Sequence, residues 1–148
     1  MLTIEELTTD YGPIRAVDHV SLEVPEGSVT AVLGANGAGK TSLLRTICGL
    51  ERPTSGRVKV EGEDITRWAV EEIVRFGVAH VPEGRGVIAE LTVHENLRLG
   101  GLWRGRDAMP LREIYDLFPR LEERADQPAS RLSGGERQIS TSASATAA

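Results

Sequence analysis

Apolar side chains recur along this chain with two periods, and the switches between them mark the elements. Near the N-terminus Leu2 and Ile4, with Leu7 beyond them, outline one strand. Val20, Leu22 and Val24 alternate with Ser21 and Glu23 in a second, half-buried strand, closed by Pro25-Glu26-Gly27. Residues 29–33 are apolar except for Thr30, a pattern that predicts a strand covered on both faces. A glycine-rich stretch then turns the chain. Beyond it Leu43, Leu44, Ile47 and Cys48 fall on one helical stripe, with Gly49 placed as a C-cap. Pro53-Thr54-Ser55-Gly56 is turn chemistry and leads into an alternating strand through Val58 and Val60. A short helix over residues 69–75 stops at Gly77, and residues 78–81 predict another buried strand.

The remaining pattern is helical. Thr92-Val93-His94-Glu95 has the spacing of a capping box and opens a helix through Leu97 and Leu99. Leu111, Ile114, Leu117, Phe118 and Leu121 mark an amphipathic region bent or restarted at Pro119. After Ile139 no large side chain appears: residues 140–148 are Ser, Thr and Ala alone. Such a segment has nothing to anchor a packed helix, so residues 139–148 are expected to form a disordered, non-native tail. The abrupt change after Gln138 reads as a frame change or an alternative terminus.

Composition narrows the class only modestly. A length of 148 residues suits one globular domain, and 40% hydrophobic with 26% charged residues is ordinary for one. The net charge of −5, with bases scattered among acids, argues against a nucleic-acid footprint. No stretch approaches the roughly 18 apolar residues that span a bilayer, and the acidic start Met1-Leu2-Thr3-Ile4-Glu5-Glu6 is unlike a signal peptide. A cytoplasmic chain is therefore expected. The single Cys48 permits no internal disulfide and reads as a small core residue.

Two motifs carry the chemistry. Gly34-Ala35-Asn36-Gly37-Ala38-Gly39-Lys40-Thr41, followed by Ser42, fits the phosphate-binding P-loop at every fixed position. Glycines let backbone N–H groups approach an anion, and the following helix aims its positive end there. Lys40 would reach the β- and γ-phosphates of a nucleotide, and the Thr41 hydroxyl would ligate Mg²⁺. Downstream, Ser133-Gly134-Gly135-Glu136 is a second helix start: Ser133 is the N-cap, Glu136 its capping-box partner, and two glycines expose N–H groups between them. By itself the tetrapeptide is an ordinary capped helix.

Together, and with Leu132 before and Arg137-Gln138 after, these motifs resemble the ATP-binding subunits of ABC transporters over residues 1–138. The resemblance implies an α/β fold of the P-loop NTPase, ABC type: a mixed sheet around the P-loop core plus a helical subdomain, here C-terminally incomplete. It implies ATP and Mg²⁺ as cofactors, with the signature at 132–136 of one subunit closing over the ATP held by another in a head-to-tail dimer. Tyr11 stands where the family stacks an aromatic on adenine. Glu83, in Val81-Pro82-Glu83-Gly84-Arg85, stands where most members carry a Mg²⁺-contacting Gln. That stretch, with the P-loop and residues 53–56, looks most like a branched-chain amino-acid importer; urea- or amide-type importers are close competitors.

The resemblance also implies permease subunits as partners, a periplasmic solute-binding protein indirectly, and a peripheral place on the inner face of the plasma membrane. Residues 91–97 resemble the opening of the subdomain that docks on the permease. The family's apolar run ending in Asp-Glu, expected about twenty residues after the signature, has no counterpart here, nor has its later switch histidine. No residue is therefore assigned a catalytic role, and a nucleotide-binding interaction fragment without turnover stays open beside the importer subunit. A soluble repair or translation ATPase is disfavoured by the spacing of residues 77–138, and a GTPase by the lack of an Asn-Lys-x-Asp motif.

Overall fold

The computed structural model describes residues 1–82, 86–102 and 108–147. They form two compact units, Met1–Val78 and Ala79–Ala148, although the sequence marks no linker between them.

The first unit is built on an antiparallel sheet of order β2-β1-β3-β4, with β1 at Leu2–Tyr11, β2 at Ile14–Val24, β3 at Ser55–Val60 and β4 at Glu63–Asp64. β1 pairs with β2 from Leu2↔Val24 to Tyr11↔Ile14, and on its other edge with β3. The register shifts between Ile4 and Leu7, where Glu6 has φ 47°. The bulge brings both Ile4 and Leu7 to the core face although they are three residues apart. α1, Lys40–Ile47, packs on this sheet through Leu43 and Ile47. Ile4, Leu7, Val17, Val58, Ile65 and Ile73 complete the core. A buried hydrogen bond of 2.9 Å between Thr9 Oγ1 and Thr46 Oγ1 ties α1 to β1. Cys48 is buried as expected, and Gly49 follows it with φ 72°. α2, Val70–Phe76, ends at Gly77 with φ 108°.

Two expected strands are not formed. Residues 29–33 pair with no strand among the described residues; Val29 is 100% and Leu33 89% exposed. An apolar run becomes a central strand only when neighbours satisfy its N–H and C=O groups on both edges. The four described strands pair with one another, and neither edge strand, β2 or β4, pairs with it. Residues 78–81 likewise carry no ladder; Val78 instead packs half-buried against the first core. The observed sheet is thus antiparallel, and the mixed sheet of the expectation is not completed by these residues.

The second unit is helical: α3 at Val93–Gly100, α4 at Leu111–Leu117, α5 at Pro119–Glu122, a 3-10 turn at Ala129–Arg131 and α6 at Gly134–Ala147. Val93, Leu97, Ile114, Leu121, Ala129, Leu132 and Ala143 form its core. The break between α4 and α5 falls at Phe118, φ −131° and ψ 70°, because proline at 119 disfavours helical geometry in the residue before it.

α6 includes the Ser/Thr/Ala segment and runs through to Ala147. Small side chains let it lie close to its neighbours. A Cβ on Gly100 would stand 2.3 Å from the Ser144 carbonyl oxygen, and one on Gly86 would collide with the Thr141 side chain. The hydroxyls turn back onto the helix, Thr141 Oγ1 donating to the Arg137 carbonyl at 2.9 Å and Ser144 Oγ to that of Ser140 at 2.9 Å. A count of large side chains misses this, because close backbone approach also buries surface. Among the described residues no helix is long and apolar enough to cross a membrane.

Candidate functional site

The glycine loop leaves residues 34–38 exposed and delivers the chain into α1 at Lys40. Gly37 and Gly39 have φ of 84° and 85°, the left-handed region that disfavours other residues. At Gly39 the requirement is double: a Cβ there would stand 2.0 Å from the Ala16 carbonyl oxygen of β2. Ala38 N–H donates to the Ala35 carbonyl at 3.2 Å, and Leu43 N–H to that of Gly39 at 2.8 Å, so turn and helix are continuous. Lys40 Nζ donates to the Gly34 and Ala35 carbonyls at 2.8 and 2.7 Å, which engages two of its three hydrogens and curls the loop around the ammonium.

Thr41 is exposed in the first turn of α1; Ser42, half-buried beside it, accepts at its carbonyl a 2.8 Å bond from Thr46 Oγ1. A cavity of 380 Å³ borders the loop, lined by Ala38, Gly39, Lys40, Val32 and Leu33 and by Ala16 and Val17 of β2, among others. Sequence reasoning passed over the β2 wall; its signal was small Ala16 beside buried Val17 in an otherwise alternating strand. Tyr11 does not line this cavity. It is 38% exposed at the hairpin joining β1 to β2, paired with Ile14. The same hairpin carries an ion cluster in which Arg15 bonds Asp10 at 3.0 Å and Asp18 at 3.2 Å. The Arg15 hydrogen bond is the main cause holding the Asp10 carboxyl below its ordinary range.

In the second unit the signature turn forms the predicted capping box. Ser133 N–H donates to Glu136 Oε2 at 2.9 Å, and Glu136 N–H to Ser133 Oγ at 3.3 Å. Gly134 and Gly135 are exposed, and a Cβ on either would meet nothing within 4 Å, so the helix end is open. The Ser133 backbone and side-chain hydrogen bonds hold the Glu136 carboxyl below its usual range, and Arg124 Nε adds an ion pair at 3.0 Å. Glu83, the second expected Mg²⁺ ligand, lies outside the described residues. Among the described residues no group of three or more His, Cys, Asp and Glu side chains could hold a metal ion. His94 lies on α3, its ring nitrogen 3.0 Å from the Tyr115 hydroxyl.

Known proteins share this arrangement. The chain is 43% identical over 141 residues to the high-affinity branched-chain amino acid transport ATP-binding protein BraG of Pseudomonas aeruginosa, covering 94% of this chain and 60% of that protein. It is 35% identical over 147 residues to a probable branched-chain amino acid transport ATP-binding protein, LivF, of Archaeoglobus fulgidus, covering 98% and 62%. The chain thus spans about three fifths of the length of these relatives. A solved ATP-binding cassette, a dimer in a post-hydrolysis state bound to ADP and Pi, superposes with TM-score 0.85 at 26% identity, over 99% of this chain and 69% of that one. Because the model of the ABC transporter family matches residues 17–147, both motifs included, the chain belongs to that family.

Proposed function

We propose that this chain supplies the nucleotide-binding part of the ATP-binding subunit of an importer for branched-chain amino acids. The observation that carries the reading is the exposed glycine loop wound around Lys40 at the start of α1. A polyphosphate fits there on three counts: glycine backbone unshielded by Cβ, a helix N-terminus, and an ammonium at the loop's centre. Lys40 would hold the β- and γ-phosphates, and Gly34, Asn36, Gly37, Ala38 and Gly39 would present backbone to them, with Ser42 and Tyr11 as further contacts. Thr41, with Glu83, would hold Mg²⁺, whose charge would offset that of the phosphates when bound. The open helix end at Ser133, Gly134, Gly135 and Glu136 would meet the nucleotide of a second ATP-binding subunit.

The solute class is supported by the printed functions of the two relatives above. Permease subunits would be the membrane partners, and a periplasmic solute-binding protein would act through them. That places the subunit on the cytoplasmic face. Lys40→Ala should weaken binding of a labelled ATP analogue at least about tenfold, the scale of one charge-assisted contact. Equal affinities in a direct titration would remove the nucleotide site from this loop.

A further inference from the structure

Within the second unit one buried side-chain amide bonds both backbone groups of Ile88 and the start of its own helix. Asn96 of α3 is 5% exposed. Its Oδ1 accepts from Ile88 N–H at 2.7 Å, and its Nδ2 donates to the carbonyls of Ile88 at 3.0 Å and Thr92 at 2.9 Å. The side chain therefore pairs Ile88 on both backbone groups, as a neighbouring strand would. Only a group with an acceptor and two donors side by side can do this; a carboxylate lacks the donors and a leucine lacks both.

The segment so held is bonded onward. Ala129 N–H donates to the Leu91 carbonyl at 2.8 Å, and Ser130 N–H to that of Ala89 at 3.1 Å. Residues 129–130 begin the 3-10 turn that runs into buried Leu132 and so into Ser133. From the other side, the Ser144 hydroxyl of α6, whose proton goes chiefly to the Ser140 carbonyl at 2.9 Å, lies 3.4 Å from the Asn96 carbonyl. Gly86, two residues before Ile88, meets Thr141 of α6 with no room for a Cβ.

We propose that Asn96 is a positioning residue that makes the segment at Ile88–Leu91 and the signature turn at Ser133-Gly134-Gly135 open and move as one body. A displacement entering at Ile88 is then delivered to the exposed helix end of α6 rather than absorbed by the intervening loop. The use of that coupling at a nucleotide rests on the function proposed above; the coupling itself does not.

Residue-resolved amide hydrogen exchange on the whole chain, without nucleotide, tests it. The amides of Ile88, Ala129 and Arg137 should share one opening, merging onto a single urea dependence distinct from that of Ile4 and Leu7 in β1. Asn96→Asp, which keeps shape and acceptor but removes both donors, should speed exchange at all three by a common factor of at least about ten, since the bonds to the Ile88 and Thr92 carbonyls are both lost, and leave β1 unchanged. Acceleration confined to Ile88 would show that Asn96 serves its own loop only. Uniform acceleration that includes β1 would show a general stabilising role. Either result overturns the inference, as do three separate urea dependences in the unsubstituted chain, a measurement that needs no variant to fold. Equal ATP affinities of the Lys40→Ala and unsubstituted chains would sink the nucleotide reading and leave this exchange result standing.

Discussion

At the scale of single residues, two glutamates act as built-in helix starts. Glu95 accepts from Thr92 N–H and from the Thr92 hydroxyl, both at 2.8 Å, and Glu136 accepts from Ser133 N–H. In each case the backbone hydrogen bond is the largest cause lowering the carboxyl's pKa, with the side-chain bond next. The sign follows directly. A folded-state pKa below the unfolded value means that the unfolded chain takes up the proton first. The stability contributed is present above the usual glutamate range and is lost as pH falls through it toward the depressed value. Helical circular dichroism followed from pH 7 to pH 3 should show α3 and α6 weakening on the acid limb. The Glu95→Gln, Glu136→Gln double variant, whose side-chain oxygens accept without titrating, should have a flatter limb. Identical acid limbs would mean that these boxes do not set the pH response.

Elements are held together here by closeness more than by bulk. α3 and α6 meet where Gly100 faces the Ser144 backbone and where Ala143 is fully buried among Val93, Leu97 and Ile114. Added methylenes at such a contact have no space to enter, and overpacking typically costs about 1–3 kcal/mol. Ala143→Leu should therefore lower the urea midpoint of the second unit and speed exchange along α6, even though leucine is the larger hydrophobe. If Ala143→Leu instead stabilises α6, the contact is loose and the helix is short of apolar area, as its composition alone suggests. The same logic separates α1 from α6. α1 needs Leu43 and Ile47 to fill space above a sheet, whereas α6 lies against another helix, where small residues allow the backbones to approach.

For the whole molecule the deciding feature is residues 29–33. Val29 and Leu33 are exposed and Val32 is 40% exposed, in backbone that pairs with no strand among the described residues. Unpaired apolar segments of high β-propensity are templates for association. The chain should elute as oligomers at micromolar concentration and bind a dye specific for exposed apolar surface. Charge on such an edge opposes pairing, so Val29→Lys with Leu33→Lys should shift elution toward monomer. A monomeric unsubstituted chain with a sharp, cooperative thermal transition would show that the segment is protected in solution.

Local chemistry was legible in the sequence because it depends on neighbours a few residues apart. The loop at 34–41, the boxes at Thr92 and Ser133, the break before Pro119 and the glycine stops at 49 and 77 follow from side-chain geometry and allowed φ, and the structure places each where its residues sit. Family membership was legible for the same reason, since both motifs are contiguous runs. What the sequence left undecided depended on distant partners. Residues 29–33 have the composition of a central strand, yet a strand exists only as a pair, and pairing is not written in the strand itself. Residues 140–144 have the composition of a tail, yet helix burial there is set by how closely Gly86 and Gly100, some 40 to 55 residues earlier in the chain, allow α6 to approach. Nothing in the neighbouring sequence marks the partners of Asn96. Thr92 reaches the Asn96 amide through the helix turn itself, but only the fold brings Ile88 onto it and Ser144 beside its carbonyl.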